Sequence, residues 1–340
     1  MLLSPIPVHI KNKKGSPMRG RFNTCSAVSS LCIVLLSGSA AAQGSFPSKP
    51  IRFIVPNAAA SSADILSRTV AQKMSDQLQQ QVIVDVRPGA SGIIGTELAK
   101  NASPDGYTIF QAGAALTVQP ALKKLPYDPE RDFIPLSRMA WVSNLVAVSG
   151  KSDIKTLEQL IQHAKARPGE LNYGSAGNAS PSHLSSALLD VMAGIKTVHI
   201  PYKGNAQVAS DIIGGRLTFV ISSPLVLGSF INSGQMRVLA TTAAARDPLF
   251  KNLPTVAETL PGYEMTQWWG VALPAKAPAA VVTKLHQEIV GALKSPDVSA
   301  QITKQGAIPQ PDSQAEFAAF MKAERSRMVD LIKRTGITED

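Results

Sequence analysis

Apolar residues follow two rhythms along the chain. Short, nearly unbroken runs such as Ile51-Arg52-Phe53-Ile54-Val55-Pro56 and Val82 to Val86 have the length of buried strands. Between them, residues 64–78 place Ile65, Leu66, Thr69, Val70, Met74 and Leu78 on one stripe, which predicts a helix. Arg87-Pro88-Gly89 ends the second run, residues 93–99 read as a short helix, and Pro104-Asp105-Gly106 turns into the run Tyr107-Thr108-Ile109-Phe110. This βαβαβ order predicts a parallel sheet covered by helices.

The pattern then restarts. Residues 145–148, 171–173, 198–200, 217–221, 238–241 and 269–273 read as strands. Residues 156–166, 182–192, 207–213, 278–293 and 313–332 read as helices. Two α/β lobes without a flexible linker are expected. Lobe 1 comprises residues 46–147 and 268–340, and lobe 2, residues 148–267, is inserted in it. The chain crossings are expected near residues 145–148 and 269–273. A ligand between such lobes lies at strand ends, where helix N-termini point.

The first 42 residues break the pattern. Lys11, Lys13, Lys14, Arg19 and Arg21 are followed by a mostly apolar stretch over 27–36 and small residues over 37–42. Ala40-Ala41-Ala42 before Gln43 fits an A-x-A cleavage site, so residues 1–42 read as an export signal, with Met18 an alternative start. Removing 42 of 340 residues leaves 298 and takes away both cysteines, Cys25 and Cys32. The remaining chain has no thiol for a disulfide, a metal or a nucleophile. Leu31 before Cys32 is too bulky for a lipid-attachment site, so a soluble periplasmic protein is expected.

Charge changes with the cut. The whole chain carries +10, and five of its 34 basic residues leave with the signal, giving 29 against 24 acidic, or +5. A mild excess suits anionic solutes. No basic stripe interleaved with aromatics marks a nucleic-acid surface. Apolar residues at 44% and charged residues at 17% describe a globular chain. No metal-ligand cluster, P-loop or G-x-G-x-x-G stands out; Gly89, Gly92 and Gly95 recur every third residue instead. No cofactor or metal is expected, and the protein is expected to act as a monomer.

Two loops carry the candidate chemistry. One runs over Asn57, Ala58, Ala59, Ala60, Ser61, Ser62 and Asp64; the other over Ser175, Gly177, Asn178, Ala179, Ser180 and His183. Both are rich in small and hydroxyl-bearing residues just before a helix. The first N–H groups of a helix lack internal partners and its dipole is positive there, so such loops suit a carboxylate or a phosphate. Plain capping is the competing reading: Ser61 and Asp64 stand three apart, and Ser180 precedes Pro181. One loop per lobe favours binding over capping.

Seven ordered segments resemble the substrate-binding receptors of tripartite tricarboxylate transport systems, the Bug family. They are Pro47-Ser48-Lys49-Pro50-Ile51-Arg52-Phe53-Ile54-Val55-Pro56, Arg87-Pro88-Gly89-Ala90-Ser91-Gly92, Pro104-Asp105-Gly106-Tyr107-Thr108, Leu125-Pro126-Tyr127-Asp128-Pro129, Leu171-Asn172-Tyr173-Gly174-Ser175-Ala176-Gly177, Pro201-Tyr202-Lys203-Gly204 and Pro254-Thr255-Val256-Ala257-Glu258. The resemblance implies a two-lobed type II periplasmic-binding-protein fold of α/β class. It implies capture in the cleft of a small carboxylate, whether a dicarboxylate, an aromatic acid, an amino acid or a related small solute, and hand-over to membrane permease subunits. It assigns the grip to the loops at 57–64 and 175–183, partly through water.

Three departures shape the expected ligand. Ala58-Ala59-Ala60-Ser61-Ser62 replaces a Pro/Gly-rich stretch, and a Cβ makes positive φ costly. Ser222 and Ser223 stand where the family often has Asp-Asn, which disfavours an ammonium-bearing ligand. The loop with Ala112, Gly113 and Ala114 is apolar, so a partly apolar or aromatic acid is expected. Asp64 is read first as a capping or dipole-pairing residue, His183 as packing or ligand contact, and Trp268 and Trp269 as hinge packing first and cleft lining second. Tyr202 and Lys203 are placed at the border of the expected cleft, with a solvated turn the competing reading for Lys203.

Two other functions share some of these features. A hydrolase would use Ser175 with His183 as base, but Tyr173 stands where a nucleophile elbow wants Gly, and no acid is assigned. A ligand-sensing partner of a membrane signalling protein would have the same fold.

Overall fold

A computed structural model describes residues 46–338, except residues 60 and 203. The expected export signal, Ala60 and Lys203 therefore lie outside the described residues.

The chain begins with β1 (Ile51–Val55), α1 (Ser62–Leu78), β2 (Val82–Val86), α2 (Ile93–Lys100), β3 (Thr108–Gly113), α3 (Ala115–Leu122) and β4 (Phe133–Ser143). It continues through β5 (Leu145–Ser149), α4 (Leu157–Ala166), β6 (Asn172–Ser175), α5 (Pro181–Ala193), β7 (Val198–Pro201) and α6 (Asn205–Ile213). Then come β8 (Phe219–Ser222), α7 (Pro224–Asn232), β9 (Met236–Thr241) and α8 (Val256–Thr259). It closes with β10 (Thr266–Pro274), α9 (Ala279–Lys294), α10 (Pro296–Lys304), β11 (Ile308–Pro309) and α11 (Gln314–Thr335).

Two sheets result, one per lobe. The first has the order β11-β4-β10-β3-β1-β2 and the second β7-β6-β8-β5-β9. Each contains three parallel strands, β2-β1-β3 or β7-β6-β8, followed by antiparallel strands, β10-β4-β11 in the first and β5-β9 in the second. In both, the strand beside the third parallel strand has just arrived from the other lobe: β10 in the first, β5 in the second. The sheets are thus mixed where the sequence pattern predicted parallel pairing alone. The two-lobed α/β fold is the expected one.

Burial explains the strand runs. β1 buries every residue but Arg52, which pairs with Asp85 of β2. Phe53 and Val55 pack under α1 and α9, whereas Ile54 joins Phe110 and Trp268 on the other face. β5 likewise sends Val146 and Val148 to one core and Leu145 and Ala147 to another. This is the period-2 alternation of a strand covered on both sides. α11 spans the lobes: Phe317 and Met321 pack in the first, Met328, Leu331 and Ile332 in the second.

The sheets change hands at Asn144, so β5 lies wholly in the second sheet and a boundary after residue 147 falls inside it. The return crossing enters β10 at Thr266. A buried polar knot ties the two crossings. The Asn144 N–H donates to Thr242 Oγ1 at 2.7 Å, and Thr242 Oγ1 donates to the Met265 carbonyl at 2.6 Å. Gln267 Nε2 donates to Asn144 Oδ1 at 2.8 Å. Buried polar groups need such partners, and these bonds hold the two crossings together.

Several elements were hidden in the sequence. α3 contains Pro120, which reads as a breaker. α7 starts with a capping Ser223 and Pro224 but buries fully only Leu227, so its stripe is faint.

Candidate functional site

The strands β1, β3 and β6 end at one cleft. A cavity of about 360 Å³ lies there, walled by both lobes. The first lobe supplies Pro56 and Asn57 after β1, Ser91 and Gly92 before α2, and Gln111 to Leu116 around the end of β3, without Ala112. The second supplies Ala176, Asn178, Ala179, Ser180 and Pro181 after β6. Gln267, Trp268 and Trp269 of β10 close the hinge side. No Asp, Glu, Lys, Arg or His is among the described lining residues.

Asn57, Gly113, Ala114, Asn178, Ala179 and Ser180 are therefore brought together as anticipated from their loops. The other described candidates lie off the cavity wall, and most have a structural task. Ser61 caps α1, its Oγ accepting from the Asp64 N–H at 3.3 Å. Asp64 is buried in the first turn and pairs with Arg68 Nε at 2.8 Å. Ala59 and Ser62 stay beside them, away from the cavity. Ala112 is buried in β3, Ser222 is buried at the end of β8, and Ser223 caps α7 by accepting from the Leu225 N–H. Tyr202 also lies off the wall and donates to Asp211 Oδ2 at 2.5 Å.

The first lobe thus presents different helix tips from the expected one. Ala114 and Ala115 put the N-terminus of α3 on the wall, and no side chain caps it. The first-turn N–H groups of such a helix attract an anion. In the second lobe the tip is that of α5, as expected.

The α5 loop is held from behind. Ser180 Oγ accepts from the His183 N–H at 3.3 Å, Ser182 Oγ from the Ala176 N–H at 3.0 Å, and Ser175 Oγ from the Gly177 N–H at 3.1 Å. His183 Nδ1 accepts from the Ala179 N–H at 3.1 Å, which places any proton of the neutral ring on Nε2. His183 stacks on His199, centroids 3.8 Å apart and planes at 17°. Tyr173 packs beside the pair, its ring centroid 5.1 Å from that of His199 and 6.3 Å from that of His183. Burial, and then the neighbouring His199, push the His183 imidazole down to about 4. Burial lowers His199 as well.

Ser175 meets His199, not His183: its Oγ lies 2.6 Å from His199 Nε2. Ser175 is fully buried and off the cavity wall. Ser175, Gly177 and His183 are thus a scaffold for the loop, and the hydroxyl has no exposed approach.

Sequence reasoning passed over Gln111, Gln119, Phe110 and Gln267, all on the wall, and ranked Trp268 and Trp269 as hinge packing first. Trp268 does both: it meets Phe317 and Phe320 edge-on and also faces the cavity. The available signal was polar residues inside the apolar stretch from Ile109 to Leu122. Among the described residues no metal-holding cluster forms, and no helix is long and apolar enough to cross a membrane.

Comparison with known proteins gives this geometry its context. Residues 66–337 match the model of the tripartite tricarboxylate transporter family receptor. A UPF0065 protein in the tcbD-tcbE intergenic region of Pseudomonas sp. (strain P51) is 34% identical over 307 residues, 89% of this chain and 91% of that protein. Protein BugT of Bordetella pertussis is 30% identical over 295 residues, 86% of this chain and 90% of BugT. Among solved structures, R. palustris Rpa4515 with adipate superposes with a TM-score of 0.75 at 31% identity, covering 86% of this chain and 99% of that one. MatC from Rhodopseudomonas palustris with bound malate gives 0.70 at 25% identity, covering 84% and 100%. The chain belongs to the family of tripartite tricarboxylate transporter receptors, the Bug proteins.

Proposed function

We propose that this protein is a periplasmic receptor that captures a small organic carboxylate between its lobes and delivers it to membrane permease subunits. One observation carries the reading: a cavity shared by both lobes, into which the helix tips of α3 and α5 project without any charged side chain among the described lining residues. Each tip carries roughly half a positive charge, so the pair suits one carboxylate. The relatives with adipate and malate bear acids of this class.

The mechanism is lobe closure. Residues 1–42 direct export, and the mature chain works as a monomer of two lobes, 46–144 with 266–340 against 145–265. The acid enters an open cleft and meets Asn57, Gly113 and Ala114 on one side and Asn178, Ala179 and Ser180 on the other. Closure about the Asn144–Thr242–Met265 knot completes its contacts, a population shift set by bonds made only in the closed state. No bond of the ligand is broken.

A thermal-shift and calorimetry screen tests this, using aliphatic and aromatic mono- and dicarboxylates beside sugars and organic cations. Carboxylates are expected to raise Tm by linkage. Hits confined to sugars or cations would overturn the ligand class.

A further inference from the structure

Three residues on the cavity wall keep a buried polar atom without a protein partner. They are Gln111 Oε1, Gln119 Oε1 and Trp268 Nε1. Their side chains are almost wholly buried, at 1%, 7% and 1% exposure. Unpaired buried atoms are uncommon in folded proteins, and three around one cavity call for a common cause.

Their chemistry is specific. An indole N–H only donates. Gln111 Nε2 donates to the Ala112 carbonyl, and turning the amide over would set two oxygens against each other. That bond fixes Gln111 Oε1 as the free acceptor. Gln119 Oε1 is a second acceptor, and it sits one turn beyond Ala115 on the same face of α3. These three unpaired atoms are therefore one donor and two acceptors. A primary carboxamide answers all three, accepting from Trp268 and donating to both glutamines, and a hydroxyl accepts from Trp268 and donates to one of them. A carboxylate answers only Trp268 and would face two carbonyl oxygens. It would also be desolvated without a cation, because no described wall residue carries a positive side chain.

We infer that the ligand is a monocarboxylate whose far end bears a neutral hydroxyl or carboxamide, recognised by Gln111, Gln119 and Trp268. This rests on the receptor reading above and narrows it. The acid head meets the helix tips, and Phe110 and Leu116 flank an apolar middle.

Isothermal titration of the purified protein with two matched series tests the inference. The first is benzoate, 4-hydroxybenzoate, 4-carbamoylbenzoate and terephthalate; the second is hexanoate, 6-hydroxyhexanoate, adipic acid monoamide and adipate. In at least one series the hydroxyl or amide member is expected to bind about tenfold or more tightly than both the unsubstituted acid and the diacid. Gln119→Leu is expected to collapse that ratio to within about twofold and to raise the ligand-free Tm, since an unpaired buried oxygen is removed. Trp268→Phe gives a second loss of the ratio through the missing donor. A diacid binding as tightly as the amide, or a preference that survives Gln119→Leu, overturns the inference alone. Unsubstituted acids that bind as well as the rest do the same. If no member of either series binds, the receptor reading for carboxylates falls and takes the inference with it.

Discussion

The loops that follow β1 and β6 look alike in sequence and do different work. Both are built from small and hydroxyl residues, and both end in a serine that caps the next helix by accepting an N–H three residues on. After β6, the loop turns through Gly177 at φ +113° and Ala179 at φ +54° and lays Asn178 to Pro181 along the cavity. After β1, none of the described residues from 57 to 64 takes a positive φ, and only Pro56 and Asn57 reach the wall. The first lobe compensates with the uncapped tip of α3. A capped, small-residue loop thus signals a helix start, and backbone direction decides whether it becomes a site.

The two loops should differ most in their response to acid. His183 and His199 support the second loop only, and its bond from the Ala179 N–H needs a neutral His183. The folded-state pKa of His183, about 4, lies below the ordinary 6.5. The unfolded chain therefore takes up this proton first as pH falls. Stability is full above about 6.5 and is lost progressively between about 6.5 and 4, by up to about 3 kcal/mol. Thermal melts at pH 7.5, 6, 5 and 4 should show that decline. His183→Asn keeps an acceptor for Ala179 without the titration, so its melts should fall less steeply over the same window. Parallel curves for the two proteins would remove His183 from the loop's support.

Gly177 comes next in size. A Cβ there would sit 3.6 Å from the Tyr202 carbonyl, an ordinary contact, so space is not the obstacle. The cost is backbone strain at φ +113°, about 1–3 kcal/mol for an L residue. Gly177→Ala should lower Tm by several degrees and weaken carboxylate binding as the loop shifts. A variant with wild-type Tm and affinity would show that the loop does not need this turn.

These differences bear on what the sequence made legible. Strand runs and helical stripes gave both lobes because burial on two faces writes itself into residue order. Parallel pairing was overestimated, since β10 and β5 reach their sheets from the opposite lobe and long-range connection has no local signature. The second loop was readable because Ser180-Pro181 marks a helix start and Gly177 a turn. Gln119 was hidden because α3 holds a proline and its neighbours are apolar. Ser175 looked like a partner for His183, eight residues away, but β7 pairs with β6 in parallel and places His199 beside Tyr173 instead.

The smallest effect is the most telling about the two caps. Ser180→Ala and Ser61→Ala each delete one N-cap hydroxyl, from α5 and from α1. Each should cost about 1 kcal/mol, read as a Tm lowered by a few degrees. Ser180 also lines the cavity, so its alanine variant should bind a carboxylate several-fold more weakly. Ser61 lies behind the wall, beside the buried Asp64 that pairs with exposed Arg68, and its variant should bind within about twofold of wild type. Stability would then report two equal caps while affinity reports one site. Equal losses of affinity would mean that the lobes close with α1 against the ligand, and that the tip of α3 is not the first lobe's principal anion contact.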